Sequence, residues 1–323
     1  MKNFCCLVVF VFCLAAPHPA AALNFSFTYN DPAGTGFNDA VLGATRQGAM
    51  QSAAGMLAGY FINYNATVAF TVNSSNVAGG ILASAWSNPF SSTFGFTPTI
   101  AQNLILTGNG TSDARINFNF AHPWDYDDVV AADAFDFKSV VIHEILHSLG
   151  FISYVNSSGQ GAHQNASGQP DTWSSYDRFL VNNSGTALVD GAFAFETSQL
   201  STLTGGSQGG VYLGNGVFFN GAFASAALGQ NIPIYSPDPW EAGSSMHHTD
   251  DTFFSGIGQP VLIMNAATDT GALVRSLSAI EIGMLRDIGY ADIVPEPAPW
   301  TLLLILTAFG LAMQPRRRPL RRA

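Results

Sequence analysis

Apolar and polar positions alternate along most of Leu23 to Tyr29, the period of a strand with one buried face. The stretch Asn38 to Phe61 is rich in Ala, Leu and Met at helical spacing and predicts a helix. Ala66 to Val72 (ATVAFTV) and Arg115 to Phe120 read as further strands. In the latter, Ile116, Phe118 and Phe120 take one face and Asn117 and Asn119 the other. The clearest helix runs from Asp136 to Leu149. Asp136 is a good N-cap, Val140, Val141, Ile145 and Leu146 supply an apolar stripe, and Gly150 sits where a left-handed terminating residue is wanted.

From Ser153 to Gly243 the composition turns to Gly, Ser, Asn and Thr, with only short apolar runs such as Val211 to Leu213 and Val217 to Phe219. That predicts a loop-rich region. Regular structure returns over Ser276 to Ile288, an amphipathic helix starting from a Ser cap and closed by Gly289. No motif recurs at a solenoid period. The pattern predicts an α+β fold: an N-terminal lobe of twisted sheet with two helices, a cleft, and a loop-rich C-terminal lobe across it.

Both ends differ from this body. Lys2 precedes an apolar run from Phe4 to Ala16, followed by Pro17, Pro19 and the small residues Ala20 to Ala22. This predicts a secretory signal peptide over residues 1–22. At the other end, Pro295-Glu296-Pro297 leads into a mostly apolar stretch from Trp300 to Met313 and then Arg316, Arg317, Arg318, Arg321 and Arg322. Such a stretch reaches about 21 Å as a helix, against a hydrocarbon core of roughly 30 Å, so it holds a chain in a membrane only marginally. Its arginines should stay cytoplasmic while the body lies outside. The expected divisions are thus 1–22, a folded body over 23–293, and a tail over 294–323.

The chain has 323 residues, 47% of them apolar and 11% charged, which excludes a disordered or collagen-like protein. Within 23–293 there are six basic residues against 21 acidic ones, a net charge of −15. That is the opposite of a phosphate-binding surface, so nucleic acid is excluded as a partner. All three cysteines (Cys5, Cys6, Cys13) fall within the leader, leaving the body without disulfides or thiol ligands.

The strongest chemical feature is His143-Glu144-Ile145-Leu146-His147. Residues four apart on a helix differ by about 40° in direction, so both imidazoles project from one face and can share one Zn²⁺. Glu144 then lies beside the metal without ligating it, where a general base for a metal-activated water belongs. The residue frequencies of this chain make the pattern a chance event at about 2 in 1,000. A hydrolytic zinc usually takes a third protein ligand. His122, at the end of a strand before Pro123, and His163, in a polar loop, read as surface residues. His247 and His248 stand just before Asp250 and Asp251, and a carboxylate close behind a histidine can orient its far nitrogen. Either can supply the third arm.

Several segments together resemble a group of exported bacterial zinc metalloproteases of metzincin type, and leishmanolysin-like enzymes in which a long insertion precedes the third His. They are HEILHSLGF at 143–151, IYSPDPW at 234–240, GSSMHHTDD at 243–251, LIMN at 262–265 and LRDIGY at 285–290. The resemblance implies a zincin fold, a protein or peptide substrate, and a third ligand following the GSS group. His248 fits that place best and His247 is the alternative. Met264 would be the methionine of the turn beneath the metal. Ser153 departs from the metzincin pattern, which places its third His there. Separately, the tail resembles the PEP-CTERM sorting signal, which implies export, transient inner-membrane retention and cleavage by a sorting protease, with the cell surface or exterior as the destination.

Rival assignments are weaker. Gly205-Gly206-Ser207-Gln208-Gly209 matches a nucleophile elbow, with Asp238 and His247 following in hydrolase order, but lacks the flanking strand and helix. Asp125, Asp127 and Asp128 could hold Ca²⁺, although the ligand spacing of an EF-hand is missing. A metal-binding matrix or surface protein without catalysis would need a fourth protein ligand to close the site. Tyr154 and Tyr235 are candidates by residue type for stabilising the charge on a reacting carbonyl oxygen.

Overall fold

The computed structural model describes residues 23–258 and 261–294. The proposed leader and the tail from 295, including Pro295, Pro297 and the arginine cluster, lie outside the described residues. The body is mixed α+β, with several small sheets and helices and no closed barrel among the described residues. No helix among the described residues is long and apolar enough to cross a membrane.

The N-terminal half contains β1 (Asn24–Tyr29), α1 (Gly43–Ala58), β2 (Thr67–Ser75), β3 (Ala83–Trp86), β4 (Gly95–Thr97), α2 (Ile100–Thr107) and β5 (Ala114–Asn119). Strands β1, β2 and β5 are parallel neighbours, and β3 runs antiparallel to β5 at the edge of the sheet. Parallel neighbours need crossovers, which α1 and the β3-to-α2 segment supply. Val68, Phe70 and Val72 of β2 are buried, while Thr67 and Ala69 are exposed, the alternation of a strand with one core face. Phe37, Phe118 and Phe137 pack ring against ring at 4.6–6.2 Å, joining the sheet to the helix that follows.

Then come β6 (Trp124–Asp125), β7 (Phe135–Asp136) and α3 (Phe137–Ser148). Asp136 caps α3 by accepting from Lys138 N–H, and its two carboxylate oxygens also take Arg275 Nε (2.7 Å) and Nη2 (2.8 Å). This paired contact ties the C-terminal half to the start of α3. The helix ends at Leu149, and Gly150 follows with φ +104°, where a Cβ would run into the Gln102 side chain.

The remainder is built from short pieces: β8 (Thr172–Ser174), β9 (Leu180–Asn182), β10 (Ser207–Gln208), β11 (Val211–Tyr212), β12 (Val217–Phe219), α4 (Ala222–Leu228), β13 (Ile232–Ile234), β14 (Pro237–Asp238), α5 (Asp251–Gly256) and α6 (Ala279–Asp287). They form two three-stranded sheets, β13-β12-β9 and β11-β10-β14, and β8 pairs with β4 across the two halves.

Three elements differ from the sequence-based expectation. The N-terminal half holds a third helix, α2, capped by Thr99 and closed by Gly108 at φ +69°; eight residues are too few to display a helical period. Helix α1 begins at Gly43 rather than near Asn38, because Gly36–Asn38 forms a separate 3₁₀ turn. The cap of α6 is Ser278 rather than Ser276, with Glu281 completing a capping box.

Candidate metal centre

Helix α3 delivers His143 and His147 from one face, with their rings 4.7 Å apart. His248 arrives from the chain after Gly243, more than a hundred residues away, and its ring stacks against His143 at 5.0 Å. The three Nε2 atoms lie 3.0, 3.1 and 3.2 Å from one another. Among the described residues this is the only group of three or more His, Cys, Asp or Glu side chains gathered closely enough to hold a metal ion.

Backbone carbonyls decide which nitrogen of each ring carries the proton. Nδ1 of His143 lies 2.7 Å from Ile263 O, that of His147 2.8 Å from Phe151 O, and that of His248 2.6 Å from Ser244 O. A carbonyl oxygen only accepts, so each Nδ1 donates and each neutral Nε2 presents a lone pair. Three lone pairs therefore face one another at about 3 Å, an arrangement that is repulsive alone and favourable around a cation. Nitrogens 2.0–2.1 Å from a tetrahedral Zn²⁺ stand about 3.3–3.4 Å apart, close to the spacing found. Burial favours the same neutral state. It lowers the pKa of His143, and burial with the neighbouring imidazoles drives those of His147 and His248 well down. The donor set fits zinc.

Glu144 is buried on the same helix, and burial pushes its carboxyl up to about 8. Its Oε2 has no hydrogen-bond partner. A buried carboxylate oxygen left unpaired beside three converging imidazoles is a costly feature in a purely structural helix.

These groups open onto a cavity of about 470 Å³. One wall is β3 and the chain before it, from Gly80 to Ala85; the other is formed by Val261 to Ile263 and Asn265 to Thr268. Asn119 sets the position of the first wall. Its side chain donates to Val77 O and Gly79 O and accepts from Val77 N–H, so this residue is buried rather than facing solvent. Among the described residues, Glu144 is the sole Asp, Glu, Lys or Arg lining the cavity.

The two adjacent histidines separate clearly. Met246 has φ +74°, a strained value for a side chain of its size, and this kink turns the chain so that His247 and His248 diverge. His247 stays outside the cluster: its Nδ1 accepts the Ser153 N–H at 3.0 Å, and its ring stands 6.3 Å from that of His248. Ser153, three residues after Gly150, contributes a backbone amide to His247.

Other anticipated residues fall as follows. Met264 is fully buried on the 262–265 turn, directly after the carbonyl that accepts from His143. Asp250 does not orient His248, since Ser244 O does so; its carboxylate caps α5 through Thr252 and Phe253 N–H. Neither Tyr154 nor Tyr235 lines the cavity. The Tyr154 hydroxyl is buried without a partner, and Tyr235 is raised by burial and by Glu241. Ser207 begins a two-residue strand, Asp238 accepts from Gln208, and His247 is engaged with Ser153, so no hydrogen-bonded relay links the three. Asp125 accepts from Asp127 and Ala131 N–H, and Asp128 pairs with Lys138 and Arg275, which commits two of the three carboxylates considered for Ca²⁺. His163 is exposed and contacts Ser92 O. His122, expected at the surface, lies on the cavity wall edge-on to Phe135.

Two contributors escape sequence reasoning. The edge strand β3 (ASAW) has no distinctive alternation, and Glu281 acts at the site through the turn that it holds. Comparison with known protein families and with curated proteins finds no match for this chain. The assignment of the centre therefore stands on the convergence of His143, His147 and His248 beside Glu144.

Proposed function

We propose that the protein is an exported zinc-dependent endopeptidase with a metzincin-like catalytic domain over residues 23–293. The observation that carries this is the three imidazoles presenting lone pairs to one point, next to an unpaired buried carboxylate, in an open cleft. When bound, zinc would polarise the scissile carbonyl and make a water acidic enough to attack it. Glu144, whose carboxyl would be returned toward the ionised form by a neighbouring cation, accepts the proton of the attacking water and passes it to the leaving amine nitrogen. His143, His147 and His248 hold their orientation through the carbonyls of Ile263, Phe151 and Ser244.

The protein or peptide nature of the substrate is supported by β3. An edge strand lining a cleft offers backbone groups to an extended chain. A wall with so little charge suits uncharged side chains, and a net charge of −15 on the body disfavours acidic substrates. Three converging protein ligands rather than four support catalysis over a purely structural metal. Export, transient membrane retention and removal of the tail by a sorting protease are proposed from the leader and tail alone. The test of the activity is metal analysis of the purified protein together with casein proteolysis before and after chelation. About one zinc per chain and loss of activity with the metal support the reading; activity that survives chelation, or a serine-directed reagent that abolishes it, overturns it.

A further inference from the structure

Beside the three ligands the cleft contains His247, whose polarity is opposite to theirs. The Ser153 backbone N–H points at His247 Nδ1 from 3.0 Å, and an amide nitrogen of this kind only donates. Nδ1 must therefore carry the lone pair, and the proton of the neutral ring resides on Nε2. The two nitrogens of an imidazole point nearly opposite ways, so this N–H is directed away from Ser153. Nε2 has no hydrogen-bond partner among the described residues, and His247 lines the cavity. Its ring stands 6.3 Å from both His147 and His248, at the edge of the centre and outside the ligand set.

We propose that His247 is a catalytic residue whose Nε2–H donates to the scissile carbonyl oxygen as that oxygen gains negative charge. The inference rests on the reading of the site as a peptidase centre. A peptidase gains most from donors fixed before reaction and aimed where charge develops. Here one contact fixes the donor: the Ser153 N–H sets the tautomer and anchors the ring. The alternatives on this cleft are poorer. Tyr154 and Tyr235 do not line it, and the Nε2 of His122 is buried with no partner on the far wall.

The test compares His247→Ala and His247→Gln with the wild-type full-length chain. A Gln side chain can place an N–H close to where Nε2 stands. The expected result for His247→Ala is about one zinc per chain, a KM within a few fold of the parent, and a kcat lower by about 100- to 1,000-fold. A phosphinic peptide, whose anionic oxygens mimic the charged carbonyl, should lose affinity by a comparable factor. His247→Gln should recover at least tenfold of the lost rate. Independently of activity, nitrogen NMR of the metal-free protein labelled at histidine should show His247 protonated at Nε2. A parent-like kcat in His247→Ala, unchanged phosphinate affinity, an Nδ1-protonated tautomer, or loss of zinc in both variants each overturns the proposal. Wild-type protein without metal-dependent proteolysis overturns the peptidase reading as well, whereas an active wild type with an unaffected His247→Ala overturns this inference alone.

Discussion

Met264 N–H donates to Glu281 Oε1 at 2.8 Å, so the buried carboxylate of the C-terminal helix holds the turn that faces the metal centre. The other oxygen, Oε2, accepts Ser278 N–H at 2.8 Å and closes the capping box of α6. One residue earlier on the same turn, Ile263 O fixes His143, and Met264 O accepts from Thr249 next to His248. One carboxylate thus holds the turn that carries the His143 acceptor and that pairs with the residue following His248. Glu281→Leu leaves the Met264 amide buried without a partner and removes half the cap, so it should destabilise the protein by about 2–4 kcal/mol. Zinc affinity should fall by about 10- to 100-fold, as for other residues that orient ligands indirectly. Glu281→Gln, which keeps one acceptor, should show smaller losses. Urea unfolding and a zinc titration check both; unchanged zinc affinity in the Leu variant would remove Glu281 from the support of the site.

His248→Ala should weaken zinc binding by more than the 10- to 100-fold expected of an indirect support, since it deletes a ligand. His247→Ala should keep about one zinc per chain. Metal content after dialysis decides between them, and the reverse result would move the third ligand by one residue.

That choice marks the limit of what is legible in the chain. The His143–Glu144–His147 face is readable because a helix period is local, and Asp136 and Gly150 bracket the helix as their residue types imply. The third ligand is set by contacts about a hundred residues apart. His248 rather than His247 faces the cluster because Met246 adopts a left-handed conformation and the segment pairs with Tyr235. Nothing in the spacing of two adjacent histidines encodes that. The same holds for Glu281: as a capping-box residue it is recognisable three positions after Ser278, but its grip on Met264 is tertiary. The burial of Asn119 opposes the strand alternation because its amide serves the loop before β3.

The pH dependence of stability should contain a signature of Asp177. It is buried, and burial pushes its carboxyl from the ordinary 3.8 up to about 6 despite N–H donors from Tyr154 and Ser174. Between these values the folded state binds more protons than the unfolded one, so this residue makes stability fall as pH rises from about 4 to about 6. Below that window its contribution is constant, and above it a penalty on the order of 3 kcal/mol persists. Asp177→Asn retains an acceptor for the two amides and cannot ionise. Denaturant unfolding of the metal-free forms at several pH values should show the variant gaining relative to wild type through that window; parallel profiles would contradict the assignment.

If the tail is a sorting signal, replacing both Pro295 and Pro297 should leave an unprocessed form in the membrane fraction, whereas the parent is trimmed and released. Fractionation followed by mass measurement distinguishes this from a plain anchor, for which both forms would remain in the membrane alike.

Glu144 is proposed to transfer protons beside a metal held by three histidines. Glu144→Gln keeps the shape of the side chain and cannot accept a proton from water, so the most direct measurement is the zinc content and proteolytic rate of this variant. About one zinc per chain, with a rate reduced on the order of 100-fold or more, is the expected result. A rate near that of the parent, with zinc in place, would contradict it.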